Sequence, residues 1–254
     1  MAKKKNDIDH ILQQWNFDPT NVNVRILELT NREVLQMRVD MGVLQLEIEG
    51  RPDGGRPDGA HTYFELLKRK ASLSEQEFVL SERQCIEVDR EFVQFYHRRI
   101  CWLQLKEFDR AVRDADHTLA LMDFCKVHSP DDEWTISHEQ YRPFVLYHRT
   151  QAAALTQLEI ENSDRAELAI DEVNQGLNRL RSLFLEYNAE EQFANDELVQ
   201  RLNEFRDSLR EKYGVDQTLQ EQLAAAVENE EYERAADLRD QISQRDDASH
   251  FEEE

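Results

Sequence analysis

Two tripeptides pose the chemical question. Tyr96-His97-Arg98 recurs as Tyr147-His148-Arg149, 51 residues later. Histidine titrates near neutrality, so an imidazole beside an arginine and a phenol could move protons or, with carboxylates, hold a metal. A di-metal centre in a helical bundle would add Glu-x-x-His pairs and further carboxylates. No Glu-x-x-His occurs, and Asp114-x-x-His117 is only an aspartate analogue. The chain also lacks a Gly-x-Ser-x-Gly nucleophile elbow, a His-Glu-x-x-His zinc helix and a GxxxxGK[ST] phosphate loop. The matching positions of His97 and His148 fit helix packing and interhelical hydrogen bonding equally well, because buried polar groups need partners in any case. The residues therefore assign no catalytic residue, no metal ligand and no cofactor. A helical enzyme or metal-binding protein with a site around His97 and His148 stays as an alternative.

A second polar cluster is the tandem Arg51-Pro52-Asp53-Gly54-Gly55-Arg56-Pro57-Asp58-Gly59. Two arginines and two aspartates on a stiff loop suit an ion or a phosphate. Pro-Asp-Gly is also ordinary turn chemistry, with Pro fixing φ and Gly accepting positive φ, and we read the loop as a connector.

The elements that must carry these residues follow from periodicity. Leu35, Met37 and Val39 alternate with polar residues, as do Leu44, Leu46 and Ile48 after Met41-Gly42, which predicts a β-hairpin. Val22, Val24 and Ile26 supply a third strand, and a helix over about 60–70 with Tyr63, Phe64 and Leu67 is the expected lid. Before them, Ile8, Ile11, Leu12 and Trp15 form a short amphipathic piece that packs on the body or docks on a partner. From Ser74, which opens a capping box with Glu77, helical spacing runs to about Tyr213. Ala111-Val112 and Thr118-Leu119 match Ala169-Ile170 and Gly176-Leu177 at an offset of 58, the difference from 51 fitting a longer turn around Glu161-Asn162-Ser163. Each repeat is a helical hairpin. Phe108-Asp109-Arg110-Ala111 and the run Ala169–Leu177 resemble a tetratricopeptide (TPR) hairpin, although the spacing exceeds that family's 34 residues and its Trp-Leu-Gly pattern is missing. Trp134 lies on the connection between the hairpins. Leu198, Leu202, Phe205 and Leu209 then mark a helix over 195–213 with coiled-coil-like spacing, ending at Gly214.

Composition narrows the function classes. The 254 residues carry a net charge of −22 and only 7 Gly and 5 Pro, which favours long helices. Such an acidic surface repels a phosphate backbone, and the lone basic cluster is Lys3-Lys4-Lys5, so direct nucleic-acid binding is not expected. No apolar run reaches a membrane span, no apolar stretch of a signal peptide follows the first lysines, and Cys85, Cys101 and Cys125 read as reduced thiols. We expect a soluble cytoplasmic protein.

The C-terminal stretch 218–245 differs from the rest. Thr218 and Glu221 form a capping box, and Leu219, Leu223 and Val227 recur every four residues. Asn229 offers a second N-cap. Tyr232, Ala235, Ala236, Arg239 and Ile242 share a face of the next helix, with Leu238 bordering it. Two short helices in a hairpin cannot complete a core alone. Cover must come from the rest of the chain, a second copy or another protein. The run Tyr232-Glu233-x-Ala235-Ala236-x-Leu238-Arg239-Asp240-x-Ile242, with Leu219 and Leu223 before it, resembles the UVR motif of the repair proteins UvrB and UvrC and of some Clp-type chaperone and protein-arginine-kinase activator proteins. The resemblance implies an antiparallel helical hairpin that pairs with another UVR hairpin and has no chemistry of its own. Neither a GIY-YIG-type nuclease signature nor paired Cys-x-x-Cys ligands accompany it.

The expected protein is mainly α, built of helical, TPR-like hairpins with a small N-terminal antiparallel β-meander and a C-terminal helical hairpin. Its segments are a tail with a short helix (1–20), meander plus helix (21–72), helical hairpins (73–190), a connecting helix (191–216), the UVR-like hairpin (217–245) and an acidic, disordered tail (246–254). The expected role is that of a non-catalytic adaptor binding through Leu219, Leu223, Val227, Tyr232, Ala235, Ala236, Leu238, Arg239 and Ile242. Its partner is another UVR-hairpin protein or a second copy of itself, with no membrane and no nucleic acid involved.

Overall fold

The computed structural model describes residues 7–159 and 163–251, which fall into two compact units, Met1–Arg149 and Thr150–Glu254. The basic cluster at Lys3-Lys4-Lys5 and residues 161 and 162 of the proposed repeat turn lie outside the described residues. The chain is mainly helical, with one small antiparallel sheet near its start and a helical hairpin near its end, as the periodicities indicate.

The first unit opens with α1 (Asp9–Gln14) and a sheet of β1 (Asn23–Glu28), β2 (Glu33–Val39) and β3 (Gly42–Glu47), paired in sequence order. Ile26 faces Leu35, and Leu35 faces Leu46; Val39 pairs with Gly42 across the two-residue turn Asp40-Met41. The alternation predicts one buried face. On β2 both faces are covered, because Val34, Gln36 and Arg38 are buried as well as Leu35. Gln36 lies in a polar ladder, accepting from Arg25 at 2.7 and 3.0 Å and donating to Gln45 at 3.1 Å. Arg25 lies over the Trp15 ring at 4.2 Å, and Arg38 donates to the Trp15 carbonyl. The N-terminal amphipathic piece therefore packs on the body, through cation–π contacts with a sheet face that reads as solvent-exposed.

The Pro-Asp-Gly loop and α2 (Tyr63–Ser72) follow, then the hairpin of α3 (Glu82–Leu105) and α4 (Phe108–His128), the short α5 (Asp132–Glu139), and the start of α6 (Arg142–Gln157). The helix that lies against β1 and β2 is α3, and α2 packs on α3 instead of serving as the lid. Phe64, Leu67, Val88, Leu121 and Cys125 share one apolar cluster, against which Trp134 of α5 packs. The capping box also differs from expectation. Ser81 and Gln84 cap α3, while Ser74 begins no helix, because the chain from there to Leu80 is irregular and buries Leu80, whose N–H donates to the His128 carbonyl.

In the second unit α7 (Ser163–Glu186) packs against α8 (Glu190–Phe193) and α9 (Glu197–Tyr213), and α10 (Leu219–Glu228) pairs with α11 (Tyr232–Phe251). Gly214 ends α9 at φ 67°, as read from the sequence. Val199, Leu202 and Leu209 are the buried residues of α9, so its stripe is consumed within the chain. The backbone of α11 continues as helix through the acidic residues to Phe251.

The two sequence repeats coincide in burial. Ala111 and Ala169, Ala115 and Val173, Met122 and Leu180, and Cys125 and Leu183 are all buried at the offset of 58; Cys101 and Ala152 match at 51. Equivalent interhelical contacts recur too. Arg99 donates to Thr118 at 3.1 Å in one hairpin, and Thr150 meets Gly176 at the corresponding positions of the other. All three cysteines are free and buried, and burial pushes the Cys101 thiol up to about 12, which leaves it a poor nucleophile.

Candidate functional site: the C-terminal hairpin

The histidine pair does not form a centre. His148 meets Arg99, whose Nε lies 3.5 Å from Nδ1, and lies against the tilted Phe144 ring; the His97 ring lies beside Tyr96. Burial pushes His148 down to about 4, with the Arg99 guanidinium adding to the effect, and burial also lowers His97. Arg99 itself is brought to about 10 by burial. Among the described residues no group of three or more His, Cys, Asp or Glu side chains is placed to hold a metal ion. A depressed histidine is neutral in the fold and charges on unfolding, so it stabilises above pH 6.5 and loses that contribution as pH falls toward 4. We therefore expect the His148 ring, followed by NMR, to stay neutral at pH 5, and His148→Gln to flatten the acid loss of stability of the first unit between pH 6.5 and 4. A His148 midpoint near 6.5 would contradict this.

The Pro-Asp-Gly loop is docked by its charges. Arg51, buried, donates to Glu87 at 2.8 Å and pairs with Asp53 at 3.3 Å, while Gln94 donates to Asp53 at 2.9 Å. Beneath it Glu91, fully buried, accepts from the N–H groups of Tyr63 and Phe64 at 2.6 and 3.0 Å and contacts His117 at 3.1 Å. A carboxylate at the start of α2 satisfies two orphan donors there. Each of these charges has a structural partner.

The hairpin α10–α11 is built by local rules. Thr218 Oγ1 accepts from Glu221 N while Glu221 Oε2 accepts from Thr218 N, closing the expected capping box. Asn229, however, ends α10 and does not begin α11. Glu230 takes φ 59°, its N–H donating to the Val227 carbonyl and that of Glu231 to Ala226. This is the reversed-turn helix ending usually built on glycine. Only Asn229, Glu230 and Glu231 separate the helices, and with Asn229 closing α10 it cannot also cap α11.

The nine expected contact residues divide into two sets. Ala235 and Leu238 are buried in one cluster with Ala226, and Leu219 and Leu223 pack against it; Ile242 is buried one turn further on. Val227 is 53% exposed and Tyr232 69% exposed. Arg239 is exposed and Ala236 half-buried. Helical phase explains the split. At about 100° per residue, seven steps from Leu219 return nearly to the same face, where Ala226 sits, whereas eight steps carry Val227 about 80° away. On α11 the same rule separates an inner stripe (Ala235, Leu238, Ile242) from an outer one (Tyr232, Ala236, Arg239).

The hairpin is also tied to its own unit. Thr218, fully buried, donates to Asp171 Oδ1 at 2.5 Å; Glu221 accepts from Asn174 at 2.8 Å and pairs with Arg210; Arg245 donates to Glu167 at 3.0 Å. Burial raises Asp171 to about 6, against the opposing effects of Thr218 and Arg245. Asp171 stands outside the nine expected contact residues. Its signal was a carboxylate directly after Ala169-Ile170 on the repeat helix, two residues before the buried Val173.

Residues 217–244 match the family model described as the UvrB/uvrC motif. No curated protein and no solved structure matches the chain. The C-terminal hairpin, with its capping box, its tight glutamate turn and its alanine-lined seam, is a UVR motif.

Proposed function

We propose that this chain is a non-catalytic adaptor whose UVR hairpin binds a hairpin of the same kind on another protein. The observation that carries the reading is the exposed outer stripe. Val227 and Tyr232 flank the turn in the open while Ala226, Ala235, Leu238 and Ile242 are buried, and an exposed aromatic beside an aliphatic residue is a typical binding anchor. Around them stand Glu228, Glu230, Glu231 and Glu233, with Arg234 and Arg239. Such a rim sets register and partner choice more than affinity. Ala236, between Tyr232 and Arg239, permits close helix approach. Leu219, Leu223, Ala235, Leu238 and Ile242 support this surface from beneath and take part in pairing when the hairpin opens from its unit. The acidic chain favours a protein partner over nucleic acid, and among the described residues no helix is long and apolar enough to cross a membrane.

Self-pairing is the second reading, favoured by the same stripe. Light scattering decides between them. The hetero-partner reading expects the 30.1 kDa monomer mass at micromolar concentration. A dimer mass that returns to monomer in Tyr232→Glu or Ala236→Glu establishes pairing with a second copy. A dimer that survives both substitutions contradicts the role given to the hairpin.

A further inference from the structure

The hairpin meets α7 through a set of buried polar contacts that is incompletely satisfied. At its centre lies Asp171, only 6% exposed, bonded through Oδ1 to Thr218 while Oδ2 has no hydrogen bond. The nearest cation to Oδ2 is Arg245 Nη2 at 3.8 Å, and the Nε atoms of Arg245 and Arg210 are buried without hydrogen-bond partners. Beside the attachment a groove of about 500 Å³ opens between α7, α9 and α10, lined by Asp171, Asn174, Asn203, Arg206 and Glu221 among others. Two glutamates face Asp171, Glu167 from its own helix and Glu221 from α10, against a single arginine from α11. Buried acceptors and donors left without partners cost stability, so this is a contact the fold can release at low cost.

We propose that Asp171 is a proton-sensitive clasp that grips the UVR hairpin on α7 as pH falls below neutrality and loosens it above, controlling how readily the inner stripe reaches a partner. The proposal rests on the partner-binding role of the hairpin for its purpose, though not for its mechanism. Docking buries the carboxylate next to two like charges, so the docked state holds the proton more tightly than the undocked state. Asp171, raised to about 6 from 3.8, therefore favours docking as pH falls through about 6 and ceases to add below about 4. The neutral acid keeps the Thr218 contact and can itself donate. The ionised form must be held between Arg245 and the two glutamates with one oxygen unbonded.

Hydrogen exchange on the full chain, read peptide by peptide and corrected for the intrinsic pH dependence of exchange, tests this without any partner. Amides of α10 and the first half of α11 should exchange roughly fourfold more slowly at pH 5.5 than at 7.5, the factor that proton linkage gives over that range for a group raised from 3.8 to about 6 on docking. Those of α9 should not change. Asp171→Asn, which imitates the protonated side chain, should be slow at both pH values, and Glu167→Gln should shrink the pH response while leaving the fold intact. Hairpin protection independent of pH in the wild type, or a pH response that persists in Asp171→Asn, would overturn the clasp. Because no partner is present, that outcome leaves the adaptor reading untouched, and loss of the adaptor reading would leave the exchange result standing.

Discussion

Asp114→Ala is expected to destabilise the first unit by about 3–5 kcal/mol, the usual result of stripping one partner from a buried ion pair. Asp114 is fully buried and accepts from Arg98 through both oxygens at 2.7 Å and from Trp102 Nε1 at 3.1 Å. Arg98 in turn donates to the carbonyls of Glu47 and Gly50 at 3.0 and 2.8 Å, so the pair ties α3 and α4 to the end of the sheet. Truncation would leave a guanidinium almost wholly buried with only carbonyls to face. All three tryptophans (Trp15, Trp102 and Trp134) lie in this unit, so urea unfolding followed by tryptophan fluorescence isolates it. Adding Arg98→Met should restore part of the loss, because an apolar pair tolerates burial better than a lone charge. A loss below about 1 kcal/mol in the single variant would mean that water reaches the pair.

Gly176→Ala should act on the other unit. A Cβ at Gly176 would stand 2.1 Å from Thr150 Oγ1 and 2.7 Å from Thr150 Cβ, and Thr150 is a buried, β-branched residue that cannot rotate away. Overpacking of this kind costs about 1–3 kcal/mol, set against the roughly 1 kcal/mol that alanine gains over glycine in helix propensity. Circular dichroism should report the loss while the tryptophan-monitored transition stays in place. Thr150→Ala should rescue part of it. That substitution removes Oγ1 and Cγ2, the two closest atoms, together with a hydroxyl that has no hydrogen-bond partner, but it keeps the Cβ at 2.7 Å, so the double variant should lie between the single variant and the wild type in stability. A stable single variant would show that α6 and α7 sit further apart than the contact implies.

These two sites mark where the sequence could be read and where it could not. Ala169, Gly176 and Thr118 announced close helix approach by size and spacing, and the structure places small residues at matching positions of both hairpins. The strands were legible because a period of two is hard to mistake. Which face of the sheet met solvent was not, since Arg25 and Arg38 bury their guanidiniums on Trp15 and Phe17 from a distant segment, and local pattern carries no trace of that. The lid was misplaced for the same reason. Arg98 binds carbonyls 48 and 51 residues away, a contact that only the fold creates. In the hairpin, motif and caps were clear from residue types, but a four-residue count ran Val227 into the seam that Ala226 fills. Asn229 looked like an N-cap because asparagine serves either end of a helix, and the length of the turn decides which.

The outer stripe of the UVR hairpin is the binding surface on which the proposed adaptor role depends. The most direct test is capture from the native cell extract with the full chain as bait, quantified against Tyr232→Glu and against Glu204→Lys, a charge change on the exposed face of α9. The account predicts that a partner bearing a UVR hairpin is retained by wild type and by Glu204→Lys and lost with Tyr232→Glu. Identical captured sets for all three baits would contradict it.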